Sequence, residues 1–159
     1  VAFVPHYEAP FRHGSFEEYP FEFVDYKSRL NREGRSANSS WYHEFKKLDP
    51  GDVSGKDVLK INPIDAEKLG VGDWDFVKVT TPTGAWTMQA KLWEGVRPGV
   101  VTKSYGQGHW AYGRVAAKDF EAAEARGVNN NDLMPAEYDR LSGSTVRNGG
   151  FFGVRIEKA

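Results

Sequence analysis

Trp86, Met88, Ala90 and Leu92 alternate with Thr87, Gln89 and Lys91. A period of two over this length is a strand with one buried face. Just upstream, Asp75 to Thr81 carries Phe76, Val77 and Val79, and Pro82-Thr83-Gly84 between the two runs is a turn. The two runs read as a β-hairpin. Phe21 to Tyr26, Val58 to Ile61, Val100 to Ser104 and Phe151 to Glu157 have strand composition as well. Helical signals are shorter. Asn62 can cap a helix, Pro63 suits its first position, Asp65 and Glu67 sit near its positive end, and Gly70 stops it, which predicts one helix over about 63–69. Residues 116–126 read as a helix stopped by Gly127, and 41–47 and 135–141 as short helical turns. The sum is a mainly β single domain of about six strands with two or three short helices, a small barrel.

Composition supports that reading. Glycine and proline make 25 of the 159 residues and aromatics 14%, which suits short strands and shaped loops rather than a helix bundle. Apolar residues are 40% and charged residues 27%, so neither disorder nor a transmembrane helix is expected. A net charge of -1 argues against a nucleic-acid surface. The absence of cysteine removes disulfides, thiolate catalysis and iron–sulfur ligation, and leaves the compartment open. The chain begins at Val1 without a signal-peptide pattern, and the missing initiator Met suggests a processed chain or a piece of a longer one. Residues 1–20, with three prolines and no period, read as an extended arm from a preceding domain, leaving 21–159 as the barrel domain.

No catalytic constellation stands out. His6, His13, His43 and His109 lack zinc-site spacing, and no phosphate-binding glycine loop or nucleophile elbow occurs. Asp73 and Asp75 read as structural carboxylates. What remains is a set of polar loops. Residues 27–38 are rich in Ser, Asn and Arg, fit for phosphate or a heterocycle edge, or simply a solvated loop. Asp65 could accept from adjacent N–H donors, although capping already explains Asn62. Residues 105–114 space aromatics with glycines, either for close approach to a ligand or as a structural turn. Asn129 to Asp132 is a polar turn. Together these loops suggest a binder of a large, polar, phosphate-bearing ligand.

The stretch from Asn62 to Val101 resembles the C-terminal molybdopterin-dinucleotide-binding domain of the DMSO reductase family. The resemblance rests on Asn62, Pro63, Asp65, Ala66, Leu69, Gly70, Gly72, Asp73, Gly84, Pro98 and Gly99, and extends over about 21–158. One departure is that Trp74-Asp75 stands where the family has Gly-Asp before a strand. The segments 27–41 and 105–110 look most like the polysulfide, thiosulfate, tetrathionate and arsenate reductase branch.

The resemblance implies a double-psi β-barrel that closes over a molybdenum or tungsten ion held by two molybdopterin guanine dinucleotides. It implies pterin and phosphate contacts from Lys27, Ser28, Arg35, Ser36 and Asn38, and guanine or ribose contacts from Asn62 and Asp65. It places Asn131 and Asp132 near the pterin, with Asn129 as the alternative, and assigns Gly108, His109 and Trp110 to the glycine-aromatic loop. The implied partners are the remaining domains or catalytic subunit of a parent oxidoreductase, with no nucleic acid and no direct membrane insertion. The chain alone is then not expected to catalyse. The alternative is a stand-alone double-psi barrel serving as an interaction or substrate-recognition module.

Overall fold

The computed structural model describes residues 4–5, 7, 11–37, 39–45, 56–108, 127–139, 142–145 and 151–159. Seven strands occur among them: β1 (Arg12–His13), β2 (Phe21–Tyr26), β3 (Val58–Ile61), β4 (Phe76–Thr80), β5 (Ala85–Leu92), β6 (Val100–Ser104) and β7 (Phe151–Lys158). The helices are α1 (Ser40–Glu44) and α2 (Pro63–Leu69), with 3-10 turns at Arg32–Gly34 and Asn130–Asp132.

Six strands close on themselves. β2 pairs parallel with β6, β6 antiparallel with β3, and β3 parallel with β5. β5 then pairs antiparallel with β4, β4 with β7, and β7 with β2. Closure leaves no unpaired edge in the ring. This is the expected mainly β, double-psi barrel. β1, from the segment read as an arm, adds to β7 in parallel, and the Arg12 guanidinium donates to the carbonyls of Gly14 and Tyr19.

Alternation along the strands fills the interior. Phe21 and Phe23, Val77 and Val79, Met88 and Ala90, and Val154 and Ile156 each share a buried face. Phe23 stacks on Phe152 with centroids 5.3 Å apart. Each of these side chains larger than alanine contributes roughly 1.5–3 kcal/mol by leaving water. Helix α2 covers part of this core through Ala66 and Leu69. It begins as expected: Asn62 Oδ1 accepts the Ile64 N–H at 2.9 Å, and Gly70, at φ +66°, ends the helix.

One reading changes. The helical turn expected over 135–141 is not formed over its described residues, 135–139. Residues 135–139 carry no helix, Tyr138 bridges Thr145 antiparallel, and Gly143 turns the chain at φ +69° with its N–H on the Asp139 carbonyl. Ser142-Gly143 is the turn signal, and it outweighs the helical composition before it. The Trp74-Asp75 departure also has a structural meaning, because Trp74 adopts φ +68°, a conformation that favours glycine. Its ring receives Lys56 and Lys91 at 4.6 and 5.1 Å from the centroid, cation–π contacts that offset the backbone strain. The helix expected over 116–126 lies outside the described residues.

Candidate functional site

At the C-terminal ends of the parallel strands β2 and β6 lies a cavity of about 740 Å³. Three chain segments make most of its wall, and Thr145 adds to it. The end of β2 and its loop supply Asp25, Lys27 and Glu33; the end of β6 supplies Tyr105 and Gly106; residues 129–131 and 134–137 supply the far side. These are three of the polar loops marked out by sequence, brought to one place.

Close backbone contact fixes the loops to one another. Gly106, at φ +79°, lies so near Gly34 that a Cβ would sit 2.7 Å from its backbone. Gly108, at φ +83°, lies so near Asn129 that a Cβ would sit 2.4 Å from its nitrogen. Asn31 is fully buried between the first two loops. Its Nδ2 donates to the Gly106 carbonyl at 3.0 Å and its Oδ1 accepts the Ser36 N–H at 3.2 Å.

The asparagine turn is held from below by a buried ion pair. Lys103 Nζ lies 2.8 Å from Asp57 Oδ1, and also donates to the Val128 carbonyl at 2.8 Å and to Asn130 Oδ1 at 2.7 Å. Asp57 Oδ2 accepts the Val128 N–H at 2.6 Å. Burial pushes the Asp57 carboxyl up and the Lys103 ammonium down, each opposed by the charge and hydrogen bond of the other. From the hairpin side, Thr81 Oγ1 donates to the Leu133 carbonyl at 3.0 Å, and Leu133 itself is in the core.

The residues marked by sequence therefore divide. Lys27 and Asn131 line the cavity, and Lys27 pairs with Glu33 at 2.5 Å. Ser28 and Ser36 are buried in the loop, Ser28 Oγ lying 3.3 Å from Tyr42 Oη. Arg35 and Asp132 are exposed. Gly108 meets the Asn129 backbone rather than open space. Asn62 and Asp65 lie apart from the cavity lining. Asn62 Nδ2 donates to the Val96 carbonyl at 2.6 Å, and Asp65 Oδ2 accepts the Gly99 N–H at 2.6 Å, so both hold the chain that enters β6. Asn38, His109 and Trp110 lie outside the described residues. Asp73 and Asp75 pair with Lys91 and Lys158, both at 2.6 Å.

The sequence pattern does not single out Asn31, Asp57, Lys103 or Asn130. One signal for Lys103 is present: it shares the inward face of β6 with Val101, and a lysine on a buried strand face needs partners.

Among the described residues, no group of three or more histidine or acidic side chains is placed to hold a metal ion. The lining is instead rich in amides and carboxylates, with Asp25, Glu33 and Glu137 against Lys27. Such a wall offers hydrogen-bond acceptors and amide groups to a polar heterocycle.

A closed barrel with a polar, loop-walled cavity is the frame of the chain, and the comparisons give its family. Residues 31–149 match the family described as "Molydopterin dinucleotide binding domain", and the chain belongs to that family. It is 65% identical over 159 residues to ArrA, the molybdopterin-containing subunit of the arsenate respiratory reductase of Chrysiogenes arsenatis, a match covering all of this chain and 19% of that protein. The corresponding subunit of Shewanella sp. strain ANA-3 is 56% identical over 161 residues, covering 99% of this chain and 18% of that protein. A tetrathionate reductase subunit of Salmonella typhimurium is 26% identical over 147 residues, covering 83% and 14%. These relatives place the chain in the DMSO reductase family. Acetylene hydratase from Pelobacter acetylenicus shares the fold, with a TM-score of 0.60 at 16% identity over 98% of this chain and 21% of that one. The chain thus spans about a fifth of the length of the arsenate reductase subunits it matches.

Proposed function

We propose that this domain binds molybdopterin guanine dinucleotide within a larger molybdenum or tungsten oxidoreductase. The observation that carries the reading is the convergence of the loops after β2 and β6 with the asparagine turn on one cavity. The donor set fits the pterin end. A pterin presents amino and ring N–H donors beside ring-nitrogen and carbonyl acceptors, and all need partners once water is excluded. Asp25, Glu33 and Glu137 supply acceptors, and Asn129 to Asn131 supply amides. Asn130 Nδ2 is buried without a hydrogen-bond partner among the described residues, which suits a site completed by a ligand.

Lys27, Ser28, Arg35, Ser36 and Asn38 belong to the loop assigned to pterin and phosphate contacts. Arg35, being exposed, is available to a phosphate. Asn131 and Asp132, with Asn129 as alternative, face the pterin in this reading. Gly108, His109 and Trp110 complete the loop after β6. Asn62 and Asp65 are assigned to the guanine end, where Asp65 Oδ1, not engaged by Gly99 and 3.6 Å from the exposed Lys68 ammonium, is the acceptor. The metal–pterin group supplies the two-electron chemistry, while this chain binds, orients and shields it. The arsenate respiratory reductase relatives support a parent enzyme that reduces an oxyanion, with arsenate as the first substrate to assay.

The test is cofactor retention in the full-length protein carrying Asn131→Ala or Lys27→Ala. The reading expects loss of bound pterin from a folded protein. Full retention in both variants contradicts it.

A further inference from the structure

The cavity wall at 134–137 is tied to the barrel at its base, where Thr81 Oγ1 donates to the Leu133 carbonyl. Further out, one side-chain bond reaches it from the opposite end of the chain. His13 Nε2 lies 3.0 Å from Glu137 Oε2, 124 positions away in sequence. His13 is held in place on its own side. It sits on β1 opposite Phe152 of β7, and the Phe11 ring meets its ring edge-on with centroids 4.9 Å apart. The neighbouring Arg12 guanidinium donates to the carbonyls of Gly14, Tyr19 and Phe21. Glu137 makes no other hydrogen bond or ion pair among the described residues. The two side chains are 27% and 33% exposed, so water screens the pair only in part.

The charges around this pair are engaged elsewhere. Arg12 on β1 faces Glu22 of β2 at 3.8 Å, and Arg155 on β7 faces Glu157. Past Glu137, Asp139 Oδ1 accepts the Ser142 N–H at 2.6 Å. Across the cavity Lys27 pairs with Glu33, and Asp25 stands beside Lys103 in the β2–β6 register. Histidine is the side chain whose ordinary chemistry changes charge between about pH 5 and 8. A charged imidazole donates from both ring nitrogens, so Nε2 then donates to the Glu137 carboxylate in a charge-assisted bond.

We propose that His13 is a positioning residue for the cavity, its bond to Glu137 latching the 134–137 wall to β1. The latch is tightest when the imidazole is charged. Loss of that proton as pH rises leaves a neutral hydrogen bond, and the wall loosens. The service of this wall to a pterin dinucleotide rests on the proposed function above, whereas the latch itself does not.

The test uses the full-length protein with His13→Gln, Glu137→Gln and both together. Each single variant keeps a hydrogen-bonding side chain and removes the charge pair. Amide hydrogen exchange over 136–139, corrected for its intrinsic pH dependence, reads the latch without a ligand. At about pH 5 each single variant is expected to exchange about 2- to 5-fold faster than wild type, the size of one partly exposed charge pair, with the double variant no faster. The gap should close toward about pH 8. Wild-type exchange in either single variant, additive effects, or a gap that is the same at both pH values overturns the proposal; the last is what a merely structural contact gives. Release of the pterin dinucleotide, followed by the fluorescence of the oxidised pterin, should quicken with pH in wild type and lose that slope in both single variants. A slope kept in either variant also overturns the positioning role. If one single variant does not fold, the other decides. Wild-type protein that carries no pterin dinucleotide defeats the proposed function, a separate outcome, and the exchange result still decides the latch.

Discussion

Gly108 and Gly99 have nearly the same backbone, φ +83° and +81°, in different surroundings. Nothing lies within 4 Å of a Cβ at Gly99, so Gly99→Ala is expected to cost only the left-handed backbone, about 1–2 kcal/mol. Gly108→Ala adds a collision with Asn129, so its loss of stability should exceed that of Gly99→Ala, and its cofactor retention should fall as the loops part. Unfolding midpoints of the two variants make the comparison. Asp65→Asn keeps an oxygen for the Gly99 N–H but removes a charge near the start of α2, about 0.3–1 kcal/mol. If Asp65 also reads guanine, retention should fall about 10- to 100-fold. A small stability loss with full cofactor content would leave Asp65 a holder of the β6 entrance alone. Sequence makes Asn62 legible as a cap because capping is local. Asn31 and Asn130 are not legible, since the bonds that tie each to a second loop, to Gly106 and to Lys103, reach more than 25 residues along the chain.

Among the elements, β7 closes the barrel, and the Lys158 ammonium pins its end to Asp75 ahead of β4 at 2.6 Å. The hydrogen bond from Lys158, helped by the Gly72 N–H, holds the Asp75 carboxyl below the ordinary aspartate range. A depressed folded-state pKa contributes stability that is present above the unfolded value and lost as pH falls through the folded one. Melting temperature should therefore decline as pH drops below the ordinary aspartate range, and Lys158→Met should make that decline shallower. An unchanged slope in the variant would remove Asp75 as its source. The Asp57–Lys103 pair joins the segment before β3 to β6 and the asparagine turn. Lys103→Met strands a buried carboxylate, which is expected to cost about 3–5 kcal/mol, with partial recovery in the double variant with Asp57→Leu. Denaturant unfolding of the three proteins reads this directly. Strand and helix positions are legible here because alternation, caps and turn residues act within a few residues, as in the 85–92 strand and in α2. The 135–139 stretch misleads because its pairing with Thr145 depends on the turn at Gly143.

For the whole molecule, strand number and composition suggest a small barrel, but its double-psi form is legible only through the family resemblance. Period-two patterns identify strands without stating which strand pairs with which. The cavity emerges only once closure sets the ends of β2 and β6 side by side, bringing Lys27, Tyr105 and Asn131 to one place. The central claim is that this place holds a pterin guanine dinucleotide. The most direct measurement is the nucleotide and metal content of the full-length protein purified from its natural source. The account predicts guanosine monophosphate released on acid hydrolysis, oxidised pterin in matching amount, and molybdenum or tungsten. A folded native protein that yields neither pterin nor guanine nucleotide would contradict it.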